Sequence, residues 1–111
     1  MTRDEFNRLV TRIFECFPST GKYLRDVSLN GDMRPTLEAW FTTLERITFA
    51  EGLNILAAWV DGSLSPPEGY YDRDKTALVM RAQALFARDK QARSESRHSM
   101  TDEYRKVHRD A

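Results

Sequence analysis

One cysteine, two histidines and no excess of either charge leave this chain without the raw material of several function classes. With Cys16 alone there is no intrachain disulfide and no thiolate metal cluster. His98 and His108 are ten positions apart, not the three or four that place two ligands on one helix face, and neither has a companion cysteine or carboxylate pair. No histidine precedes them to activate a serine or cysteine, so nucleophilic catalysis of the Ser-His or Cys-His kind has no base. Lysine plus arginine number 17, as do aspartate plus glutamate. A protein that wraps nucleic acid usually needs a clear basic excess to displace phosphate counterions. No apolar run approaches the ~20 residues that span a bilayer, and the charged start MTRDEFNRL lacks the apolar stretch of a signal peptide. The expectation is a cytoplasmic protein with no cofactor, metal or small-molecule substrate, and not an enzyme.

What is present is helical periodicity. At 111 residues the chain is long enough for one domain, and folding at this size buries roughly 60–70% of the unfolded chain's surface. Thr2 and Glu5 make a capping box, Ser/Thr-x-x-Glu, ahead of Phe6, Leu9, Val10, Ile13, Phe14 and Phe17 at helical spacing. Pro18 stops that helix, and Cys16 at the edge of its face reads as a small packed hydrophobe. Ser19 to Arg34, with Gly21 and the turn dipeptide Asn30-Gly31, reads as irregular, with one helical turn at most. Tyr23, Leu24, Val27 and Leu29 are its expected anchors.

A second helix starts near Thr36, with Pro35 setting its first turn and Leu37, Trp40, Phe41 and Leu44 on one face. Thr48 and Glu51 form another capping box and restart the chain. The third helix carries a stripe of Phe49, Leu53, Leu56 and Val60, flanked by Ile55, Ala58 and Trp59, and Gly62 supplies a left-handed cap. Being apolar most of the way round, it belongs at the centre of the domain.

After the loop SLSPPEGYY a fourth helix begins near Asp72 or Asp74 and runs to about Gln91. Its expected inner face is Leu78, Val79, Ala82, Leu85 and Phe86. The remainder, ARSESRHSMTDEYRKVHRDA, is charged, serine-rich and poor in large hydrophobes. It reads as a flexible tail over 92–111 behind a helical domain over 1–91, with Thr101 able to cap a short turn. The fold class is therefore all-α: a compact bundle of about four main helices with a flexible charged C-terminal tail.

Several residues invite functional readings. Ser19-Thr20-Gly21-Lys22 has the look of a phosphate loop, but Cys16 stands where the first glycine is required and Tyr23 where Ser or Thr is required. Trp40 and Trp59 lie on or beside apolar stripes and read as core. Tyr70 and Tyr71 in the proline loop are candidates for exposed contact. Arg73, Arg81 and Arg88 share a stripe that continues into Lys90, Arg93 and Arg97. It is either a solvated face or a docking element for an acidic partner or a nucleic-acid backbone. Tyr104, Arg105 and Lys106 complete the candidate partner-binding set.

One resemblance rests on the order of these elements. An amphipathic helix closes on Phe17-Pro18, and a helix then opens Thr36-Leu37-Glu38-Ala39-Trp40-Phe41 with Leu44 after it. An alanine- and leucine-containing helix and a loop with Pro66-Pro67 follow. This resembles the phage replicative-helicase loader and inhibitor family, over roughly Thr2 to Ala82. The resemblance implies a phage or prophage adaptor in DNA replication. Its tail after Gln91 would bind a hexameric DnaB-type helicase, and its helical domain an initiator or other replication protein. Trp40 and Leu44 match the family's packing positions. Glu68-Gly69-Tyr70-Tyr71 and the long linker between the first two helices depart from the pattern. The alternatives are a small DNA-binding module, which would bind DNA with steep salt dependence, and a phage structural or assembly adaptor, which would self-associate.

Overall fold

Both capping boxes form, and each starts a helix. In a computed structural model that describes residues 1–67 and 75–109, with side chains described through 94, Thr2 Oγ1 accepts from the Glu5 backbone N–H at 3.1 Å. The Thr2 N–H in turn donates to Glu5 Oε1 at 2.8 Å. This opens α1, Arg3–Cys16, which buries Phe6, Leu9, Val10 and Ile13. The same reciprocal bonds join Thr48 and Glu51, at 2.9 and 3.1 Å. They open the helix Phe49–Asp61.

Pro18 ends α1 as expected, having no N–H to continue the ladder, but it also opens a helix of its own. Its fixed φ suits the first helical position, and Phe17 at φ −132°, ψ 73° makes the corner. The resulting α2, Pro18–Val27, occupies much of the stretch expected to be irregular. Gly21, which reads as a loop signal, is instead a contact. A Cβ there would lie 3.2 Å from Cγ of Phe14, so the phenyl ring of α1 rests against the α2 backbone. Tyr23 and Leu24 are buried as expected, whereas Val27 and Leu29 are exposed.

A single 3-10 turn, Leu29–Gly31, follows, with Asn30 and Gly31 both left-handed at φ 55° and 73°. Asp32 then accepts from the Arg34 backbone N–H at 3.1 Å and from its guanidinium at 2.9 Å. This fixes the start of α3, Arg34–Leu44, which buries Trp40 and Leu44 and half-buries Leu37 and Phe41. The helix from Phe49 is α4, closed by Gly62 at φ 84°. The last, α5, runs Thr76–Arg109. The fold is the expected all-α bundle, with five α-helices among the described residues, and α5 continues past Gln91, where the sequence reading placed the end of the domain.

α1 packs on α2, α3 and α4, and α5 packs on α3 and α4. Aromatic contacts lock the seams. Phe6 meets Phe41 edge-on at 5.2 Å between ring centres, Phe17 meets Trp59 at 6.3 Å, and Phe14 meets Trp40 at 6.3 Å. Trp40 and Trp59 are core residues, 3% and 4% exposed.

Two helix faces differ from expectation. In α4 the buried stripe is Gly52, Ile55, Leu56 and Trp59, while Val60 is exposed. In α5 it is Ala77, Met80 and Ala84, while Leu78, Ala82 and Phe86 face outward. The cause is common to both. Small residues, Gly52 in α4 and Ala77 and Ala84 in α5, belong to the buried stripes beside Trp59 and Met80, so hydrophobic size alone does not set the inner face. Gly52 is the tightest case. A Cβ at this position would come within 2.8 Å of Leu9 Cδ2 and 3.7 Å of Met80 Sδ, both side chains being fully buried.

Gly52→Ala accordingly sets two effects against each other. Helix propensity gains up to about 1 kcal/mol, and overpacking costs about 1–3 kcal/mol. Leu9 is enclosed and cannot swing clear, so the expected net result is a loss of about 1–2 kcal/mol. Urea unfolding checks it: the midpoint should fall with the slope unchanged, and an equal or higher midpoint would contradict the packing account.

Candidate partner-binding helix

α5 is held in one rotational setting by two polar contacts. Trp59 Nε1 donates to Gln83 Oε1 at 2.7 Å, and Gln83 Nε2 donates to the Ser65 carbonyl at 3.3 Å. One side chain thus ties α5 to α4 and to the loop that leaves α4. Five residues on, the Arg88 guanidinium grips the Glu51 carboxylate through both oxygens, Nε lying 2.8 Å from Oε2. Arg88 also donates to the Arg46 carbonyl at 3.3 Å.

Glu51 is therefore shared. Its backbone and side chain complete the capping box of α4, while its carboxylate anchors α5. The hydrogen bond from Arg88 is the main reason its carboxyl is pulled from 4.5 to about 2; partial burial opposes the shift, and Thr48 adds to it.

The candidate residues divide accordingly. Arg88 is a structural clamp and not a free docking charge, although half of its side chain remains exposed. Arg81 is partly buried on the flank of α5. Lys90 is exposed, and Arg93 is exposed with its guanidinium 3.1 Å from Asp89 one turn back. Arg97, Tyr104, Arg105 and Lys106 belong to the helical backbone of α5 but lie outside the described side chains. Tyr70, Tyr71 and Arg73 lie outside the described residues altogether. The arginine stripe is thus not one surface. It is a clamp at Arg88 followed by the solvent-facing pair Lys90 and Arg93.

What the sequence reading missed is the apolar ridge. Leu78, Ala82 and Phe86, at i, i+4 and i+8, point away from the bundle, with Leu78 47% and Phe86 71% exposed. Their regular spacing led to their assignment as core. The signal against that assignment was a second set at helical spacing, Ala77, Met80 and Ala84, on the opposite side of the same helix.

Elsewhere, Cys16 is exposed and not packed. Ser19 to Lys22 lie within α2, with Thr20 and Gly21 buried, so no phosphate loop forms there. Among the described residues no group of three His, Cys, Asp or Glu side chains could hold a metal, and no helix is long and apolar enough to cross a membrane. A groove of about 510 Å³ between α1 and α4 is floored by Phe49 and Leu53, with Arg8, Arg12 and Glu15 at its rim. Arg8 is already paired with Asp4 at 3.2 Å, the expected i, i+4 pair. Neither family models, nor curated proteins, nor solved structures match this chain.

The clamp generates a pH dependence with a defined sign. Glu51 has a depressed folded-state pKa, so its contribution is fully present above about 4.5 and is lost as pH falls toward about 2. Arg88 is half exposed, so solvent screening reduces the contribution to about 1–2 kcal/mol. Glu51→Gln keeps a capping-box side chain but removes the charge. Its stability deficit by urea unfolding should be about 1–2 kcal/mol at pH 7 and should vanish near pH 2; a deficit constant over that range would contradict the clamp.

Proposed function

We propose that this protein is a non-enzymatic adaptor that binds a replicative hexameric helicase of the DnaB type through the part of α5 beyond Gln91. On this reading the helical domain engages an initiator or other replication protein. The observation that carries the reading is the length of α5. A helix of 34 residues spans about 51 Å, yet among the described residues its last buried side chain is that of Ala84. Beyond Gln91 the described side chains, Ala92, Arg93 and Ser94, are all exposed. A helix that leaves its bundle displaying charge suits a protein surface of complementary sign.

Joining two partners through one chain raises the effective concentration of each near the other, which is how such an adaptor would deliver a helicase. The order of amphipathic helices around Phe17-Pro18, Trp40 and Leu44 supports the loader reading in particular.

Size-exclusion chromatography with light scattering at moderate salt tests it. The full chain should co-elute with the helicase hexamer, and a chain ending at Gln91 should elute separately while keeping its helical circular dichroism. Failure of the full chain to co-elute overturns the proposal for that helicase.

A further inference from the structure

The outward ridge of α5 is self-complementary, and we infer that it pairs with the same ridge of a second copy, antiparallel, about a twofold axis at Ala82. The inference stands independently of the helicase reading.

On a wheel at 100° per residue, Leu78, Ala82 and Phe86 fall within about 80° of one another, and the buried Ala77, Met80 and Ala84 fall on the far side. α5 thus has two apolar faces, and the bundle covers one. A twofold axis through Ala82 places position n of one copy opposite position 164 − n of the other. Leu78 then meets Phe86. The small Ala82 sits at the crossing, where a side chain without a γ atom lets the helix axes approach closely.

The same register aligns opposite charges. Lys75, exposed and one residue before α5, falls opposite Asp89, twice over by symmetry. Both lie within about 20° of Ala82 on the wheel, on the ridge itself. Asp89 also holds Arg93 through Oδ2, so Lys75 of the second copy joins a carboxylate already oriented by its own helix. A heterologous partner would not require the chain's own charges to match about its own ridge. An isologous twofold contact does.

Sedimentation equilibrium of the full chain, from about 5 to 500 µM, tests the pairing, since a small helix-on-helix contact should associate in the micromolar range. The wild type should pass from monomer to dimer. Phe86→Asp, at an exposed position, should stay monomeric with unchanged circular dichroism.

Lys75→Glu and Asp89→Lys should each weaken the dimer about tenfold, because each places like charges opposite twice. An equimolar mixture of the two variants should recover wild-type affinity, since the Lys75→Glu carboxylate of one then faces the Asp89→Lys ammonium of the other. A wild type that remains monomeric throughout overturns the inference. So does a dimer that survives Phe86→Asp, or one whose affinity ignores the charge exchange. Each readout is independent of helicase binding, so failure of the pairing and failure of the adaptor reading are distinguishable.

Discussion

Where α1, α4 and α5 meet there is room for a hydrogen atom but not a methyl group. Gly52 brings the α4 backbone against the Leu9 side chain, with the Met80 sulfur beyond it. The rest of the arrangement follows from that approach. α1 lies this close to α4 because Gly52 presents no side chain to Leu9, while Met80 of α5 sits at ordinary contact distance. The inward stripe of α4 includes Gly52 and that of α5 runs Ala77, Met80 and Ala84, while Val60, Leu78 and Phe86 face outward. Ile55, Leu56 and Trp59 continue the α4 stripe at the spacing Gly52 sets.

This constraint shows why parts of the fold were legible in the sequence and parts were not. The capping boxes at Thr2 and Thr48, the αL cap at Gly62 and the Leu37, Trp40, Phe41 and Leu44 face are local facts, settled by residues within one or two turns of each other. α2 was hidden because Gly21 and the Ser-Thr pair before it carry the local signature of a loop. Only the Phe14 ring, seven positions away and across a helix–helix contact, gives Gly21 its purpose. Gly52 carries no such local signal: a hydropathy pattern treats glycine as a blank, whereas a tertiary contact makes it part of a buried stripe. The rotation of α5 was a third such case, because that helix offers two apolar faces and tertiary contacts such as those of Gln83 and Arg88 select between them.

The basic residues of α5 that the sequence groups as one candidate set take different structural roles. Arg88 and Arg93 look alike in sequence, each an arginine on a charged helix. Yet Arg88 closes on Glu51 from another helix and Arg93 on Asp89 from its own turn. The first bond fixes architecture. The second is an exposed pair of little energetic weight that leaves its surface available. Sequence separation distinguishes them, 37 residues against four, and no local pattern records that difference.

The two uses proposed for α5 are compatible because they fall on different lengths of it. Pairing is centred at Ala82 and spent by Asp89; the segment proposed to bind helicase begins after Gln91. In an antiparallel pair the two distal segments depart in opposite directions. Position 100 of each copy is 18 residues from the axis, so the two would lie about 54 Å apart along a shared helical direction. A dimer of this kind presents two separated copies of one docking segment to a partner whose own subunits repeat. Two weak contacts made together on a repeating surface then act as one tighter contact, provided the spacing fits. The outward ridge supplies a rigid rule for that spacing that a lone helix cannot. Exposing Leu78 and Phe86 on a helix that already has a buried face thus has a mechanical consequence beyond the stability of one chain.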